Sequence, residues 1–248
     1  MDDNTCPNPQ SAEASPAFHP LAIGNPAMLT RLTNKLPQYF PSSMELISAD
    51  RVLCIPDSQH DQAVQIFASK SDILKPCEPL PLQRQDSQNH KYPRFKVIDR
   101  TDFWLLVPAS YCHISCEVDN IEWSLGHLPY PKLHIYIQSL IDTKMEGDLS
   151  DLIDGMDLTY EWGLKNLNLG GVTDTEWLKW LMQGMRDDGF KEMFIFVDPK
   201  PVSQLEIWKK YVTTKQTRMG WKYSPEIYAT RFRRFGSKDP RIRSRPGI

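Results

Sequence analysis

The stretch RFKVIDRTDFWLLVPASYCHI, residues 94–114, predicts two neighbouring β-strands with a turn near residues 99–102. The preceding stretch, ISADRVLCIPDSQHDQAVQIFAS (47–69), predicts a short buried strand, RVLCI, that Pro56 closes. A helix follows this strand, and either Asp57 or Ser58 is expected to cap it. The first half of the chain therefore predicts a small mixed sheet with helical connections.

Helical patterns dominate the second half of the chain. In YPKLHIYIQSLID (130–142), the apolar residues Leu133, Ile137, Leu140 and Ile141 share one helical face. Two capping-box patterns begin further helices, Thr173 with Glu176 and Ser203 with Glu206, and Ser224 with Pro225 begins a last one. We predict an α/β (α+β) fold with a small mixed sheet in the first half and a predominantly helical second half.

The chain of 248 residues is long enough for one large domain. We predict disorder at residues 1–20, a single α/β catalytic domain at 21–235 and a basic C-terminal tail at 236–248. Within the domain, residues 26–40 have a helical pattern, and Pro37 is expected to end this helix. The patterns also predict a long surface loop at 75–93 and a strand at 193–198.

Composition indicates a cytoplasmic protein. No apolar run approaches the roughly 20 residues that span a bilayer, so no membrane partner is expected. The N-terminus, MDDNTCPNPQSAEASP, is acidic and polar and does not resemble a secretory signal. The five cysteines have no framework spacing, which is typical of a reducing compartment.

Charge is distributed unevenly along the chain. Residues 209–248 contain twelve basic and two acidic side chains, a formal charge of +10, whereas the remaining residues carry −12. Such a split predicts a polyanionic partner, an anionic membrane or an intramolecular clamp, unless the basic segment is simply a solvated surface. Aromatic residues interleave with the cations, a mixture that suits RNA. The candidate RNA-binding residues are Lys209, Lys210, Lys215, Arg218, Lys222, Arg231, Arg233 and Arg234.

An acidic run, GDLSDLIDGMDLTYEWG (147–163), is the strongest local pattern. Aspartates recur at every third position from 148 to 157, and Gly155 is expected to break the helix between two pairs. Close carboxylates can supply an acid and a base or bind magnesium, and they can equally cap helices at Asp148 and Asp157. The intervening apolar residues, Leu149, Leu152, Ile153 and Met156, are predicted core.

A second acidic site is VDNIEW (118–123), which is predicted to lie in a loop after the two strands. With the acidic run, this segment completes the set of candidate catalytic residues: Asp119, Glu122, Asp151, Asp154, Asp157 and Glu161.

The segment CHISC (112–116) contains two cysteines and a histidine, but its spacing matches no common zinc site. We predict that Cys112 and Cys116 are buried core residues. The sequence contains no Walker loop, no nucleophile-elbow serine and no dinucleotide-binding glycine fingerprint. We therefore expect no metal and no cofactor.

Two stretches faintly resemble the nucleotidyltransferase fold: SADRVLCIPD followed by DQAVQIF, and LHIYIQSLIDTKMEGDLSDLI. That resemblance would imply metal-dependent phosphoryl transfer. Only Asp50 stands where paired metal-binding acids are expected, because Arg51 and Val52 follow it.

Taken as a whole, the chain resembles the fungal arginine-containing cyclodipeptide synthases. The similar features are its size, FHPLAIGNP near the start, HKYPRF, YPKLHIYIQSLID and DLIDGMDLTYEWG. The family's acidic motif has two adjacent aspartates and a glutamate. Its nearest counterparts here are Asp119 with Glu122, and Asp187 and Asp188 with Glu192.

This resemblance implies an enzyme of secondary metabolism whose partners are arginyl-tRNA and a second aminoacyl-tRNA. Such an aminoacyltransferase joins the two amino acids as a cyclic dipeptide, a diketopiperazine, and needs no ATP because the ester is already activated. Carboxylates would accept a proton and hold the guanidinium. The alternatives are a nucleotidyltransferase-like enzyme and a non-catalytic RNA-binding protein; no DNA partner is expected.

Overall fold

The computed structural model describes residues 21–22, 27–28, 32, 50–79, 87–99, 103–123, 128–188 and 198–218. Several sequence predictions lie outside these residues: disorder at 1–20, most of the helix at 26–40, all but the last residue of the strand at 193–198, the helix from Ser224 and the tail at 236–248. Residues 27, 28 and 32 of the predicted first helix are helical.

A mixed sheet of five strands organises the first half, as predicted. Its strands lie in the order β1-β2-β5-β4-β3, and β1, β2 and β5 are parallel to one another, whereas β4 and β3 are antiparallel additions. The strand bounds are Leu21–Ala22 (β1), Asp50–Ile55 (β2), Leu74–Pro76 (β3), Arg94–Val97 (β4) and Phe103–Pro108 (β5).

The central strand β5 is buried over its first five residues, FWLLV. Such a continuous apolar run is typical of a strand that is covered on both faces. Helix α1 (His60–Ala68) lies beside β5, and the ring of its buried Phe67 packs against Phe95 and Trp104 at centroid distances of 5.4 and 6.5 Å. The hydrophobic core therefore includes β4 and β5, the two strands that the stretch 94–114 predicted.

One prediction near this sheet was wrong, and another was wrong at its first two residues. Neither Asp57 nor Ser58 caps α1, because a 3-10 turn (Asp57–Gln59) intervenes and the Asp57 carboxylate instead accepts a hydrogen bond from the Ser110 amide at 3.0 Å. The predicted loop at 75–93 begins with strand β3, whose buried Leu74 pairs with Val97. An edge strand tolerates Pro76, since its outer side needs no hydrogen-bond donor.

Between the sheet and the large helices lie a short helix, α2 (Ala109–Cys112), and a two-stranded antiparallel sheet. This sheet consists of β6 (Ile121–Trp123) and β7 (Pro129–Pro131). The segment VDNIEW was predicted as a loop, but it forms a 3-10 turn (Val118–Asn120) followed by β6, because Ile121 is buried in the core.

The second half is helical, as predicted. Its helices are α3 (Leu133–Asp142), α4 (Glu146–Met156), α5 (Tyr160–Asn166), α6 (Thr175–Asp187) and α7 (Gln204–Thr213). The predicted apolar face of α3 is buried at Ile137, Leu140 and Ile141, and the four predicted core residues of α4 are all buried. Within the described residues, no helix is long and apolar enough to cross a membrane.

The helix ends correct several predictions. Ser203 caps α7 as predicted, but the cap of α6 is Asp174 rather than Thr173, whose hydroxyl accepts a hydrogen bond from the Val202 amide. Gly155 does not break α4, because the helix continues through this buried position to Met156.

The aspartates predicted as caps also have other roles. Asp148 lies in the first turn of α4 without capping it, and Asp157 ends α4 in the left-handed conformation rather than beginning α5. Helix α5 is capped by Thr159.

Three thiols cluster between β2 and α2. Cys54 and Cys116 are buried with their sulfur atoms 3.6 Å apart, whereas Cys112 is only half-buried. Hydrogen bonding to Cys112 and Cys116, together with burial, raises the pKa of Cys54 well above its ordinary value. The burial predicted for these cysteines is therefore correct for Cys116 and partly correct for Cys112.

Candidate functional site

A cleft of about 940 Å³ opens at the carboxyl ends of the parallel strands β2 and β5. In open α/β sheets, this edge is where ligands usually bind. The cleft is bounded by the turn after β2, by α2 and the segment after it, by α3 and by the start of α6. The side chains that matter for its chemistry are Asp57, Ser110, His113, Glu117, Gln138, Asp142 and Trp177.

His113 lies in this cleft between two carboxylates. It follows α2 with a left-handed backbone conformation (φ 53°), which is uncommon for a residue with a side chain and recurs at functional sites. Its Nε2 atom lies 3.2 Å from Asp174 Oδ2, and its Nδ1 atom lies 3.9 Å from Asp142 Oδ2. One ring nitrogen is thus within hydrogen-bond distance of a carboxylate, and a second carboxylate lies near the other nitrogen.

Asp142, the last residue of α3, is held by two amide side chains. Its Oδ1 atom accepts hydrogen bonds from Gln138 Nε2 at 2.9 Å and from Gln204 Nε2 at 2.6 Å. The side chain is only 18% exposed, and this burial raises the pKa of Asp142 despite the two hydrogen bonds and the nearby His113. A carboxyl group in this environment is suited to exchange a proton.

Asp174 has the opposite tendency. Its Oδ1 atom accepts a 2.9 Å hydrogen bond from the Trp177 amide at the start of α6, and this bond is the main reason that the pKa of Asp174 is lowered. Two carboxylates on either side of one imidazole therefore have pKa values shifted in opposite directions. Such a separation is a common property of acid–base sites.

Trp177 forms one wall of the cleft. Its indole Nε1 donates a 2.9 Å hydrogen bond to the Ser110 carbonyl oxygen, which connects α6 to α2. Its ring meets His113 edge to face, with the centroids 6.3 Å apart. This bond and this ring contact fix the orientation of the indole at the cleft.

The charged residues that line the cleft favour a cationic ligand. Asp57, Glu117 and Asp142 contribute carboxylates, and the described residues that line the cleft include no lysine and no arginine. Field lines from carboxylates concentrate in a cleft with low-dielectric walls, so this site attracts ammonium or guanidinium groups.

None of the six carboxylates proposed from the sequence lines this cleft. Asp154 forms an ion pair with Arg218, whose Nε lies 3.0 and 3.1 Å from the two carboxylate oxygens, and Asp157 pairs with Lys215 at 2.5 Å. Asp119 and Glu161 are exposed, and Asp151 and Glu122 are half-buried.

The candidate tRNA-binding residues divide into three groups. Lys215 pairs with Asp157 and Arg218 pairs with Asp154. These two contacts are of the kind expected if the basic segment binds the acidic body of the same chain. Lys209 and Lys210 are exposed on α7, and Lys210 lies 3.6 Å from Glu146. The remaining four, Lys222, Arg231, Arg233 and Arg234, lie outside the described residues.

Sequence reasoning missed the residues that form the cleft. His113 was considered only together with its neighbouring cysteines, and Asp142 and Asp174 were not considered as site residues. The useful signal was positional, since the VPASYCHI segment continues past the carboxyl end of a buried strand.

Across the described part of the chain, no group of three or more His, Cys, Asp or Glu residues is arranged to hold a metal ion. Comparisons with protein-family models, with curated proteins and with solved structures find no match to the chain.

Proposed function

We propose that this chain is an aminoacyl-tRNA-dependent synthase that joins arginine to a second amino acid as a cyclic dipeptide. The observation that supports this proposal is the acidic cleft in which His113 lies between Asp142 and Asp174. The cleft offers both properties that the reaction needs, which are a binding site for a cationic side chain and a group that accepts protons.

The cationic side chain in this proposal is the guanidinium of arginine. A guanidinium binds carboxylates through paired hydrogen bonds and stacks on aromatic faces, so the cleft carboxylates and the indole of Trp177 suit it better than they suit an ammonium. Asp57 and Glu117 are the partners we expect for it, since Asp142 is already engaged by two amides and lies near His113.

The chemistry is two aminolysis steps. The amino group of one aminoacyl ester attacks the carbonyl carbon of the other, forming a C–N bond and breaking the bond to the ribose oxygen. The new amino terminus then attacks the remaining ester and closes the ring. In each step one proton leaves the nitrogen and one proton reaches the departing oxygen.

His113 is positioned to transfer these protons. Asp174 orients one ring nitrogen of its imidazole, and Asp142 lies near the other. General acid–base catalysis of this kind typically contributes about 10²–10⁴-fold in rate. No step needs an added cofactor, since the ester bonds supply the free energy.

The experiment is a reaction of the purified chain with arginyl-tRNA and a mixture of other aminoacyl-tRNAs, analysed by mass spectrometry. We expect a cyclic dipeptide that contains arginine, and we expect His113→Asn to reduce its yield by about 10²-fold or more. His134→Asn is the matched control, because His134 is a half-buried histidine of α3 outside the cleft lining.

Three outcomes would contradict the proposal. The first is a folded chain that forms no product, and the second is one that transfers a nucleotide from a nucleoside triphosphate. The third is a chain that binds tRNA tightly without turnover, which would indicate a non-catalytic RNA-binding protein.

A further inference from the structure

Four aromatic side chains form a continuous row that leads into the cleft. We call Tyr92, Tyr111, Trp180 and Trp177 the aromatic row. Successive ring centroids lie 4.9, 6.1 and 6.1 Å apart, and the last ring, Trp177, is also a wall of the cleft. The row is assembled from the segment before β4, from α2 and from α6.

Hydrogen bonds hold the rings at both ends of the α2–α6 contact. The Tyr111 hydroxyl donates to Asn89 Oδ1 at 2.8 Å and accepts from the Gln88 amide at 3.0 Å, and the Trp177 indole donates to Ser110. Trp180 nevertheless remains 46% exposed. Trp180 lies between these two fixed rings, and an exposed tryptophan in such a position beside a cleft is typical of a binding surface.

We propose that the aromatic row stacks the unpaired bases at the 3′ end of the tRNA substrate. This inference depends on the proposed function, because it supplies the position of the nucleotides next to the reacting ester. The ester must lie in the cleft, so the terminal adenosine, whose ribose carries the ester, must lie beside the cleft and the preceding bases must lead away from it. The row begins at the cleft and leads away from it.

Stacking is the interaction that this location permits. The cleft carboxylates repel phosphates, so the cleft does not hold the RNA through its phosphates. Lys91 and Lys179, which neighbour row members in the chain, each pair with a carboxylate, at 3.1 Å to Asp188 and 2.6 Å to Glu176. Aromatic stacking on unpaired bases needs no net positive charge and depends weakly on sequence.

The test measures binding of a short single-stranded RNA that ends in CCA to the full chain, by fluorescence anisotropy and without any turnover. We expect Trp180→Ala to weaken binding by about 5- to 150-fold, the equivalent of roughly 1–3 kcal/mol for one stacked base. Trp180→Phe should keep most of the affinity, and Trp180→Leu, which retains apolar surface without a π face, should not. The affinity ratio between the parent and Trp180→Ala should stay the same at low and moderate salt, because the stacked ring carries no net charge.

Trp123→Ala is the control, because Trp123 is an equally exposed tryptophan outside the row. The inference is overturned if Trp180→Ala binds like the parent, if Trp123→Ala loses as much, or if Trp180→Leu binds as well as Trp180→Phe. The last result would indicate an apolar protein contact.

The test separates a failure of this inference from a failure of the proposed function. RNA bound through Trp180 with no cyclic dipeptide would contradict the function alone. Product formed by a chain whose RNA binding ignores Trp180 would contradict this inference alone.

Discussion

The packing around the end of α3 buries most of the Asp142 carboxyl group, and this burial raises the pKa of Asp142. A raised pKa means that folding favours the protonated form. The stabilising contribution is therefore fully present at pH values below the pKa of the unfolded chain and is lost as pH rises through the folded pKa. Above the folded pKa, the ionised form of Asp142 costs stability, which is a common property of functional acids.

Asp142→Asn should therefore stabilise the protein at neutral pH while reducing activity. The asparagine oxygen can still accept from Gln138 and Gln204, so the substitution removes charge and preserves most of the hydrogen bonding. Melting temperature and product yield are measured side by side at neutral and acidic pH. We expect the stability gain to shrink on acidification and the yield to fall by about 10²–10⁴-fold.

A melting temperature that falls in proportion to activity would show that Asp142 is a structural residue. Gln138→Glu is a useful companion variant, because it places a second carboxyl group beside Asp142 and should lower stability at neutral pH.

Asp174 has two roles that substitution can separate. As the cap of α6, it can be replaced by asparagine with little loss, whereas alanine should cost about 0.5–2 kcal/mol of unfolding free energy. As the partner of His113, it requires its charge. Asp174→Asn should therefore melt like the parent but form less product, and Asp174→Ala should lose both. Urea unfolding and product assays provide the two measurements.

Helices α5 and α7 cross at a point that admits no side chain on α5. A Cβ atom on Gly163 would lie 2.0 Å from Trp208 Nε1. Trp208 is fully buried, and its indole donates a 3.3 Å hydrogen bond to the Tyr160 carbonyl oxygen, so it has little room to retreat. The close approach of the two helices thus depends on glycine at this position.

Gly163→Ala should destabilise the protein by about 1–3 kcal/mol despite the better helix propensity of alanine. The matched control is Gly147→Ala in the first turn of α4, where a Cβ atom would meet nothing within 4 Å. That variant should be neutral or more stable by up to about 1 kcal/mol. Equal behaviour of the two variants in urea unfolding would disprove the packing argument.

The sequence predicted those elements whose periodicity comes from burial. The apolar run of β5 and the helical face of α3 are both set by the core, so their patterns are local and strong. Strand β3 was missed because its pairing with β4 depends on a partner about twenty residues away. Helix ends were predicted at Ser203 but misplaced by one residue at Asp174, where two adjacent polar residues compete for the same position.

The site could not be predicted from local patterns. His113, Asp142 and Asp174 come from three segments separated by about thirty residues each, and only the packing of α3 and α6 against α2 brings them together. The acidic run, residues 147–163, lies on α4 and around its end, where Asp154 and Asp157 pair with Arg218 and Lys215. Two acids of this run therefore bind the first part of the basic segment and do not line the cleft.

In the molecule as a whole, charge connects the basic segment to the acidic body. The strongly basic segment begins within α7, and its first part is partly neutralised by acids of the body through Lys215 and Arg218. The remaining cations are those that we expect to contact phosphates. Because each phosphate contact releases counterions, tRNA binding should weaken steeply as salt increases.

Charge reversal at Arg231, Arg233 and Arg234 should weaken tRNA binding and make its salt dependence shallower. Three lost phosphate contacts should reduce the slope of log K against log salt by roughly 2–3. Filter binding of tRNA across a salt series measures this slope.

The control reverses three exposed lysines outside the basic segment, Lys75, Lys165 and Lys200. It changes net charge equally, so it separates a local contact from a general electrostatic effect. The same loss of slope in both triple variants would argue against a binding role for the C-terminal arginines.

The buried thiols of Cys54 and Cys116 allow the opening of the central sheet to be measured by thiol alkylation. Only a thiolate reacts with an alkylating reagent, and Cys54 is fully buried with a raised pKa, so it should react only when the sheet opens. The half-buried Cys77 should react many times faster in the folded protein. Mass spectrometry of timed samples distinguishes the two positions, and equal labelling rates would show that β2 opens readily. The labelling rate of Cys54, and its increase with urea, would report how often the strands part, with no probe introduced into the chain.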